Sequence, residues 1–470
     1  MDIPFLYIDV AHPTWLFYAA LLVCAVFFRF SRLLSVRNLD LGLILAISTS
    51  LVLTGTWPST ASESTQSVLS EAVGSLSRYS PTILLVLSAF LIIRLIFDES
   101  LTRRPRLEQN LNQQGLTFLC VPAFVILMSS VFILEPPVDN VEAVESGKAL
   151  LERQAIGETE ADDEEAQPAP TETLIAATAS AVAELSGGID NAAVSPDSES
   201  NAMELLLARL LIVLAHATVV AGLLYIGRYH FNSMQLGISM TCLYLLLPCT
   251  AFKVHELNHV LPAACLIWAF ACYRKPAVAG VLLGLSCGTL FFTVFLLPLW
   301  AVFYGRRGSL RFVSSLAVVA ALSLFAVAMT SSSTDTFFNR IVHTTNWTAF
   351  QLFTNQLPVS RVGVGQIFLR ITLAAVFMVM FIAMIVIPRR RNLENLLANS
   401  TALVVAAQLW YPKDVGTYVL WYLPLLLMVM FRPRLDRFTP PKIDDGASTS
   451  RLKTTASQPA GAMSRVTLYH

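Results

Sequence analysis

Charge is what this sequence has least of. Only 14% of its 470 residues are Asp, Glu, Lys or Arg, against roughly a quarter in an ordinary soluble domain. The two signs balance, with 32 residues each, so no bulk attraction to nucleic acid is expected. Paired cysteines are also lacking. The seven present (Cys24, Cys120, Cys242, Cys249, Cys265, Cys272 and Cys287) all fall in apolar segments, where cysteine serves as a small buried hydrophobe. No CxxC pair exists, so neither a disulfide framework nor a cysteine metal site is expected. The opening "MDIPFLYIDVAHP" lacks a basic n-region, and no cleavable signal peptide is expected from it. No internal repeat is evident.

What fills the chain instead is apolar sequence, 55% of all residues. Runs such as "LRFVSSLAVVAALSLFAVAMT" and "TLAAVFMVMFIAMIVIP" approach the roughly 20 residues that cross a bilayer. The expected fold is an all-α polytopic transmembrane bundle. Spans are read near 12–30, 39–57, 81–98, 115–134, 204–227, 235–252, 257–273, 277–304, 309–330, 364–388, 395–410 and 415–431. Short loops rich in Lys and Arg belong in the cytoplasm. Arg29, Arg32 and Arg37, then Arg103, Arg104 and Arg106, Arg274 and Lys275, Arg389 to Arg391, and Arg432, Arg434 and Arg437 occupy alternate loops. The scheme fails only if 277–304 crosses once, which would place "GRRGSLR" outside. A broken or re-entrant pair, 277–289 and 290–304, repairs it. Gly280, Gly284 and Gly288 permit close packing or a break there, and Pro298 can kink the second half. The expectation is thus about 12–13 membrane segments in a bacterial inner membrane, with the N-terminus outside and the C-terminus in the cytoplasm.

Three spans within 1–110 form an N-terminal extension, and 111–431 form a core with external loops 135–201 and 331–363. The acidic, Pro- and Ala-rich stretch around "GETEADDEEAQPAPTE" has too little apolar surface to offset ordering entropy, so disorder is expected over 155–200. Before it, "PPVDNVEAVESGKALLERQ" reads as a short helix on the membrane, with Val141, Val144, Ala149 and Leu150 on one face. In the second loop, Phe337, Phe338, Trp347, Phe350 and Phe353 suit an interfacial lid. The tail 432–470 is polar and expected to be disordered and cytoplasmic.

The stretch "FKVHELNHVLP" spells H-E-x-x-H through His255, Glu256 and His259. On a helix that spacing sets two imidazoles on one face beside a carboxylate, as zinc proteases require. A third protein ligand is missing: Cys265 stands where one extension of the motif would need His, and no acidic residue follows Glu256 until Asp335. No metal or other cofactor is therefore expected. A plainer reading has these residues capping a span at the water interface.

The same region resembles the core of GT-C-type glycosyltransferases, particularly bacterial mannosyl- and arabinofuranosyltransferase-like membrane proteins. The likeness lies in "ELNHVLPAACLIWAFACYRKPAVAGVLLGLSCGTLFFTVFLLPLW". Glu256 and Asn258 take the Q-x-N places of that family, Arg274 and Lys275 its basic turn, and Ala279, Gly280 and Gly284 its small-residue helix. "QLWYPKDVGTYVLWYLPLLLMV" is similar to the family's final aromatic loop and span. "PPVDNVEAVESGKALLERQ" looks like its first external loop, which maps the catalytic acid onto Asp139, with Glu142 and Glu145 as further candidates. Departures exist: "TLFFTVFLLP" replaces a Lys-x-x-Pro element, and "LERQAIGE" with the acidic insertion follows the G-x-x-L-L helix. The first three spans lie outside the likeness.

What the resemblance implies is sugar transfer from a polyprenyl-phosphate donor on the external face, among membrane lipids. An inverting transferase needs one carboxylate to take the acceptor's proton, and Asp139 would be that base, unless it merely caps the helix after it. The leaving lipid phosphate needs positive charge or donors. Lys413, Arg361 and Arg340 are the external cations, with His255, His259, Asn258, Glu256, Tyr411 and Tyr418 as polar partners. The alternative is a transporter or scaffold without catalysis; a membrane zinc protease comes third.

Overall fold

Three helices begin where a polar side chain caps an apolar run. Asn112 accepts a hydrogen bond from Gly115 N and starts a helix over Gln113–Ile133, Ser233 accepts from Leu236 N ahead of Met234–Leu246, and Asn392 accepts from Asn395 N ahead of Leu393–Ala407. Each side chain satisfies a main-chain donor that the helix itself leaves free. The computed structural model describes residues 13–54, 66–100, 107, 109–134, 136–152, 169–185, 196–289, 291–331, 337–338, 341, 364–387, 391–410, 417–435 and 438–441.

In chain order the helices are α1 Pro13–Phe27, α2 Val36–Thr54, α3 Gln66–Ile96, α4 Gln113–Ile133, α5 Val138–Glu152, α6 Pro170–Leu185 and α7 Pro196–Tyr225. Then come α8 Met234–Leu246, α9 Pro248–Phe252, α10 Leu257–Ala271, α11 Pro276–Thr289 and α12 Leu296–Thr330. The last are α13 Val364–Val386, α14 Leu393–Ala407 and α15 Val419–Phe431. No strand occurs among the described residues. Six helices there are long and apolar enough to cross a membrane, and six shorter apolar helices accompany them. The chain is an all-α polytopic membrane protein.

Every residue of α14 and α15 is buried, so these two form the centre. The periphery is different: Val376, Val379, Ile382 and Val386 on α13, and Leu322 and Phe325 on α12, are exposed. Apolar side chains turned outward on such helices suit hydrocarbon as their solvent. The three N-terminal spans share this core. Ser48 on α2 accepts a hydrogen bond from Cys249 N at 2.7 Å, and α3 packs along α14. A buried ion-pair network binds the same elements. Arg94 bridges Asp40 and Asp98, and Arg432 bridges Asp98 and Glu394.

The segment 277–304 reverses within the bundle. Helix α11 runs from the Arg274–Lys275 turn to Thr289, and a 3-10 turn, Phe291–Phe295, leads into α12. The first limb of α12 returns to where α11 began: Tyr304 Oη donates to the Tyr273 carbonyl at 2.8 Å. The chain then turns again at Gly305, whose φ of 68° and ψ of 179° belong to a region essentially reserved for glycine. The second limb runs beside α11. Gly280 admits it so closely that a Cβ there would collide with Ser315 and the Phe312 carbonyl. The paired segments match expectation, but Pro298 does not make the bend. It sits in the first turn of α12, where proline is tolerated.

A second difference lies in the acidic insertion. Disorder was expected across 155–200, yet 170–185 forms α6 and 196–200 begins α7. The reason is compositional. From Thr171 the acidic run gives way to "TLIAATASAVA", whose Ala176 and Ala177 are buried against Gly147 of α5. Helix α5 forms as expected, but its buried face is Asn140, Ala143, Val144, Ser146 and Gly147, of which only Val144 belongs to the expected apolar face. Small residues let α5 lie on α6 rather than on lipid. Most of the aromatic loop 331–363 and the tail from 442 lie outside the described residues.

Candidate functional site

The turn from Lys253 to Glu256 enters α10 through an unusual start. Glu256 occupies the cap position with extended backbone, φ −89° and ψ 97°, and its carboxylate makes no capping bond to a main-chain N–H. It is engaged by side chains instead, with Lys253 Nζ at 2.6 Å and His259 Nε2 at 2.9 Å. Burial alone would push this carboxyl up. The hydrogen bond and charge of His259, then those of Lys253, outweigh burial and bring it down to about 2. His259 is buried and stacks on Tyr418, 4.9 Å between centroids and 15° between planes.

This geometry answers the question raised by H-E-x-x-H. The helix begins at Leu257, so His255 precedes it and the two histidines do not share successive turns. Glu256 is committed to ion pairs. Among the described residues no three His, Cys, Asp or Glu side chains are placed to hold one metal ion. The zinc-protease spacing therefore falls across a helix boundary and lacks the geometry it implies.

Asp139 and Glu142 come to the same end of the bundle on α5. Asp139 is exposed, and Asn140 beside it is buried and donates to the His255 carbonyl at 2.7 Å. Burial, then the charges of Asp139 and Glu145, raise the Glu142 carboxyl above the ordinary range. His255 is held neutral: burial lowers its pKa, the Glu256 charge only partly opposes this, and Arg209 adds to the lowering. Lys413, Arg361, Arg340 and Tyr411 lie outside the described residues.

Several polar atoms at this end are buried and without a hydrogen-bond partner. They are both ring nitrogens of His255, Asn258 Oδ1, His259 Nδ1, Arg209 Nε and Glu172 Oε1. Buried polar atoms are normally paired, and each exception calls for a reason. At the α10 start, α6 and α7 they leave hydrogen-bonding capacity unused, as do others elsewhere in the bundle, Gln408 and Tyr422 among them.

Beside this cluster is an open apolar groove. Leu257, Leu261, Cys265 and Trp268 of α10 form one wall, and Leu211, Leu214 and Thr218 of α7 the other, with Ile175 and Leu282 between them. It begins at Leu257, directly after the Glu256 cap, and follows two membrane helices toward the opposite end of the bundle.

Three contributors escaped the sequence reading. Arg209 was signalled by being a lone cation inside the apolar run of α7. Lys253 stands two residues before the motif. Glu172 was hidden in a stretch read as disordered. Its helix is anchored where α11 ends, through Thr171 Oγ1 donating to the Leu285 carbonyl at 2.8 Å.

Fold and site together define a polytopic helical membrane protein with a polar cluster at one end and an apolar groove leading from it. No protein-family model matches the chain, and no curated protein or solved structure is significantly similar to it.

Proposed function

We propose that the chain is an integral membrane glycosyltransferase, similar to the GT-C type, that moves a sugar from a polyprenyl-phosphate donor on the external side of a bacterial plasma membrane. The observation that carries this reading is the adjacency of the partnerless polar cluster to the apolar groove. A lipid phosphate has that same division, with a charged head and a hydrocarbon tail. His255 and Arg209 would donate to the phosphate oxygens, Asn258 Oδ1 would accept from a hydroxyl of the donor's sugar, and the groove between α7 and α10 would take the first isoprene units. Asp139, exposed at the start of α5, would accept the acceptor's hydroxyl proton as the new glycosidic bond forms. The sugar–phosphate bond breaks, and the electron pair leaves on the phosphate, where cationic and hydrogen-bonding groups stabilise it. The external placement rests on charge. The loops opposite the polar cluster carry Arg274, Lys275, Arg306 and Arg307, and such loops face the cytoplasm.

A transporter without catalysis is the second reading. It draws on the break between α11 and α12, since discontinuous helices often build transport sites. The deciding experiment uses the full chain in nanodiscs with a panel of polyprenyl-phosphate sugars. The wild type is expected to release polyprenyl phosphate, and Asp139→Asn to do so about 10²–10⁴ more slowly with donor binding retained. Full activity in Asp139→Asn removes it from the mechanism. A wild type that neither binds nor turns over any donor favours the transport reading.

A further inference from the structure

We propose that the turn between α1 and α2 is a lipid anchor, with Phe30, Leu33 and Leu34 immersed in the acyl chains of one leaflet and Arg29 and Arg32 bound to the phosphates of anionic phospholipids. The sequence there is "FRFSRLLSVR", in which cations and large apolar residues are interleaved. Phe30 is 70% exposed, Leu33 64% and Leu34 completely. A single exposed apolar side chain needs no explanation. Three in one turn form a patch, and a patch marks an interaction surface. Arg29 and Arg32 are exposed beside them.

The turn is firmly built. Asn38, in the first turn of α2 and only 5% exposed, closes it. Its Oδ1 accepts from Arg29 N at 2.9 Å, and its Nδ2 lies 2.9 Å from the Arg29 carbonyl, 3.1 Å from that of Arg32 and 3.2 Å from that of Leu33. Asn110 Nδ2 donates to the carbonyls of Ala25 and Phe28 at 3.0 and 2.9 Å. Arg37 Nη2 donates to the Phe27 carbonyl at 2.9 Å. Irregular backbone is costly in a bilayer, because its polar groups have no water to bond. These carbonyls are instead satisfied by side chains of the fold, while Phe30, Leu33 and Leu34 are left outside it. That division suits a turn dipped into hydrocarbon.

Position and charge identify the lipid. Phe27 packs edge-on against Phe431 at the end of α15, and Phe438 beyond it packs on Tyr273. The turn therefore lies at the Arg274–Lys275 end of the bundle, where α1 and α2 leave the hydrocarbon. Arg29 Nε donates to Ser31 Oγ at 3.2 Å, which steadies the guanidinium at the rim of the patch. A guanidinium matches phosphate oxygens in a two-point bond. Long cationic side chains also reach the headgroup level while their stems stay in apolar surroundings. The apolar patch alone would accept any acyl chain, and each arginine adds a preference for a negative headgroup. This anchor is independent of sugar transfer and of which membrane face carries the turn.

The test puts a reporter in the turn. Leu34→Trp keeps an apolar side chain there, and its emission is read as the excess over the native tryptophans of the wild type. The full chain is placed in nanodiscs of phosphatidylglycerol and phosphatidylcholine, with one or the other lipid brominated on its acyl chains. The added emission should be quenched by either brominated lipid, and more strongly by phosphatidylglycerol at equal mole fraction. Arg29→Gln and Arg32→Gln, each in the reporter background, should lower that preference by about fivefold while the quenching itself persists. Leu33→Trp serves as the reporter if Leu34→Trp fails to fold. Added emission untouched by acyl bromine overturns the proposal, and points to a second copy of the chain or the residues before Pro13 as the cover of the patch. Equal quenching by the two lipids, or a preference unchanged in both arginine variants, overturns it as well, because a turn that merely touches acyl chains does not recognise a headgroup.

Discussion

The Asn140 side-chain amide donates to the main-chain carbonyl of His255 at 2.7 Å across 115 residues of sequence. This single bond fastens the helix that carries Asp139 to the turn that carries Glu256. Both partners lie at the same end of the bundle, and Asn140 itself is only 3% exposed.

Asn140→Ala removes the donor and leaves the carbonyl buried. The expected destabilisation is about 1–3 kcal/mol, read as a lower thermal midpoint of the purified protein. On the proposed transferase reading, sugar transfer should fall further than the folded fraction does, because α5, which carries Asp139, is no longer tied to the α10 start. Wild-type stability together with wild-type transfer would show that the two halves of the site do not depend on this bond.

Glu256 gives a pH signature whose sign can be worked out. Its folded-state pKa lies below the ordinary glutamate value, at about 2. The stability it contributes is therefore present above about pH 4.3 and is lost as pH falls toward 2. The wild type should exceed Glu256→Gln by about 1–2 kcal/mol at pH 6, and the two should converge near pH 2. A difference constant from pH 6 to pH 2 would contradict the ion pairs with Lys253 and His259. If H-E-x-x-H is a coincidence of spacing, His259→Ala should also leave the zinc content of the purified protein unchanged.

The bundle was legible in the sequence because hydrocarbon imposes a simple rule: long apolar runs with charge confined to alternate loops. Even the reversal at 277–304 followed from where Arg306 and Arg307 had to lie. Its hinge did not, since Pro298 and Gly305 both permit a bend and only packing chooses between them. Helix α6 was hidden by composition. Seven acidic residues between Glu158 and Glu172 mask an alanine-rich face whose partner, the Asn140–Gly147 stripe of α5, comes from another segment. The candidate site was half legible. His255, Glu256, Asn258 and Asp139 stand out by type, but Glu172 and Arg209 acquire meaning only through neighbours that the fold supplies.

Gly305 can be tested directly. Its φ of 68° and ψ of 179° penalise any L side chain, by about 1–3 kcal/mol, and a Cβ would stand 3.0 Å from Arg391 Nη1. Gly305→Ala is expected to lower the thermal midpoint. Gly42→Ala is the control: it lies within α2 with nothing within 4 Å of the added methyl, so it should be neutral or mildly stabilising. Equal effects from the two substitutions would deny Gly305 its role at the hinge.

Arg432 joins the N-terminal spans to the centre of the bundle. Its guanidinium pairs with Asp98, just after α3, and lies 2.9 Å from Glu394 in the first turn of α14. All three side chains are at most 5% exposed. Removing the cation alone takes one close charge partner from both Glu394 and Asp98. Breaking a buried pair in this way costs about 3–5 kcal/mol, so Arg432→Ala should be among the most destabilising single changes in the chain. Arg432→Lys offers one nitrogen where two carboxylates wait, and should fall between it and the wild type. The triple variant Arg432→Met, Asp98→Asn, Glu394→Gln removes the charges together and should recover most of the lost stability, since the penalty arises from unpaired charge rather than from the missing pair. If the triple variant is as unstable as Arg432→Ala, shape rather than charge holds the three N-terminal spans against α14 and α15.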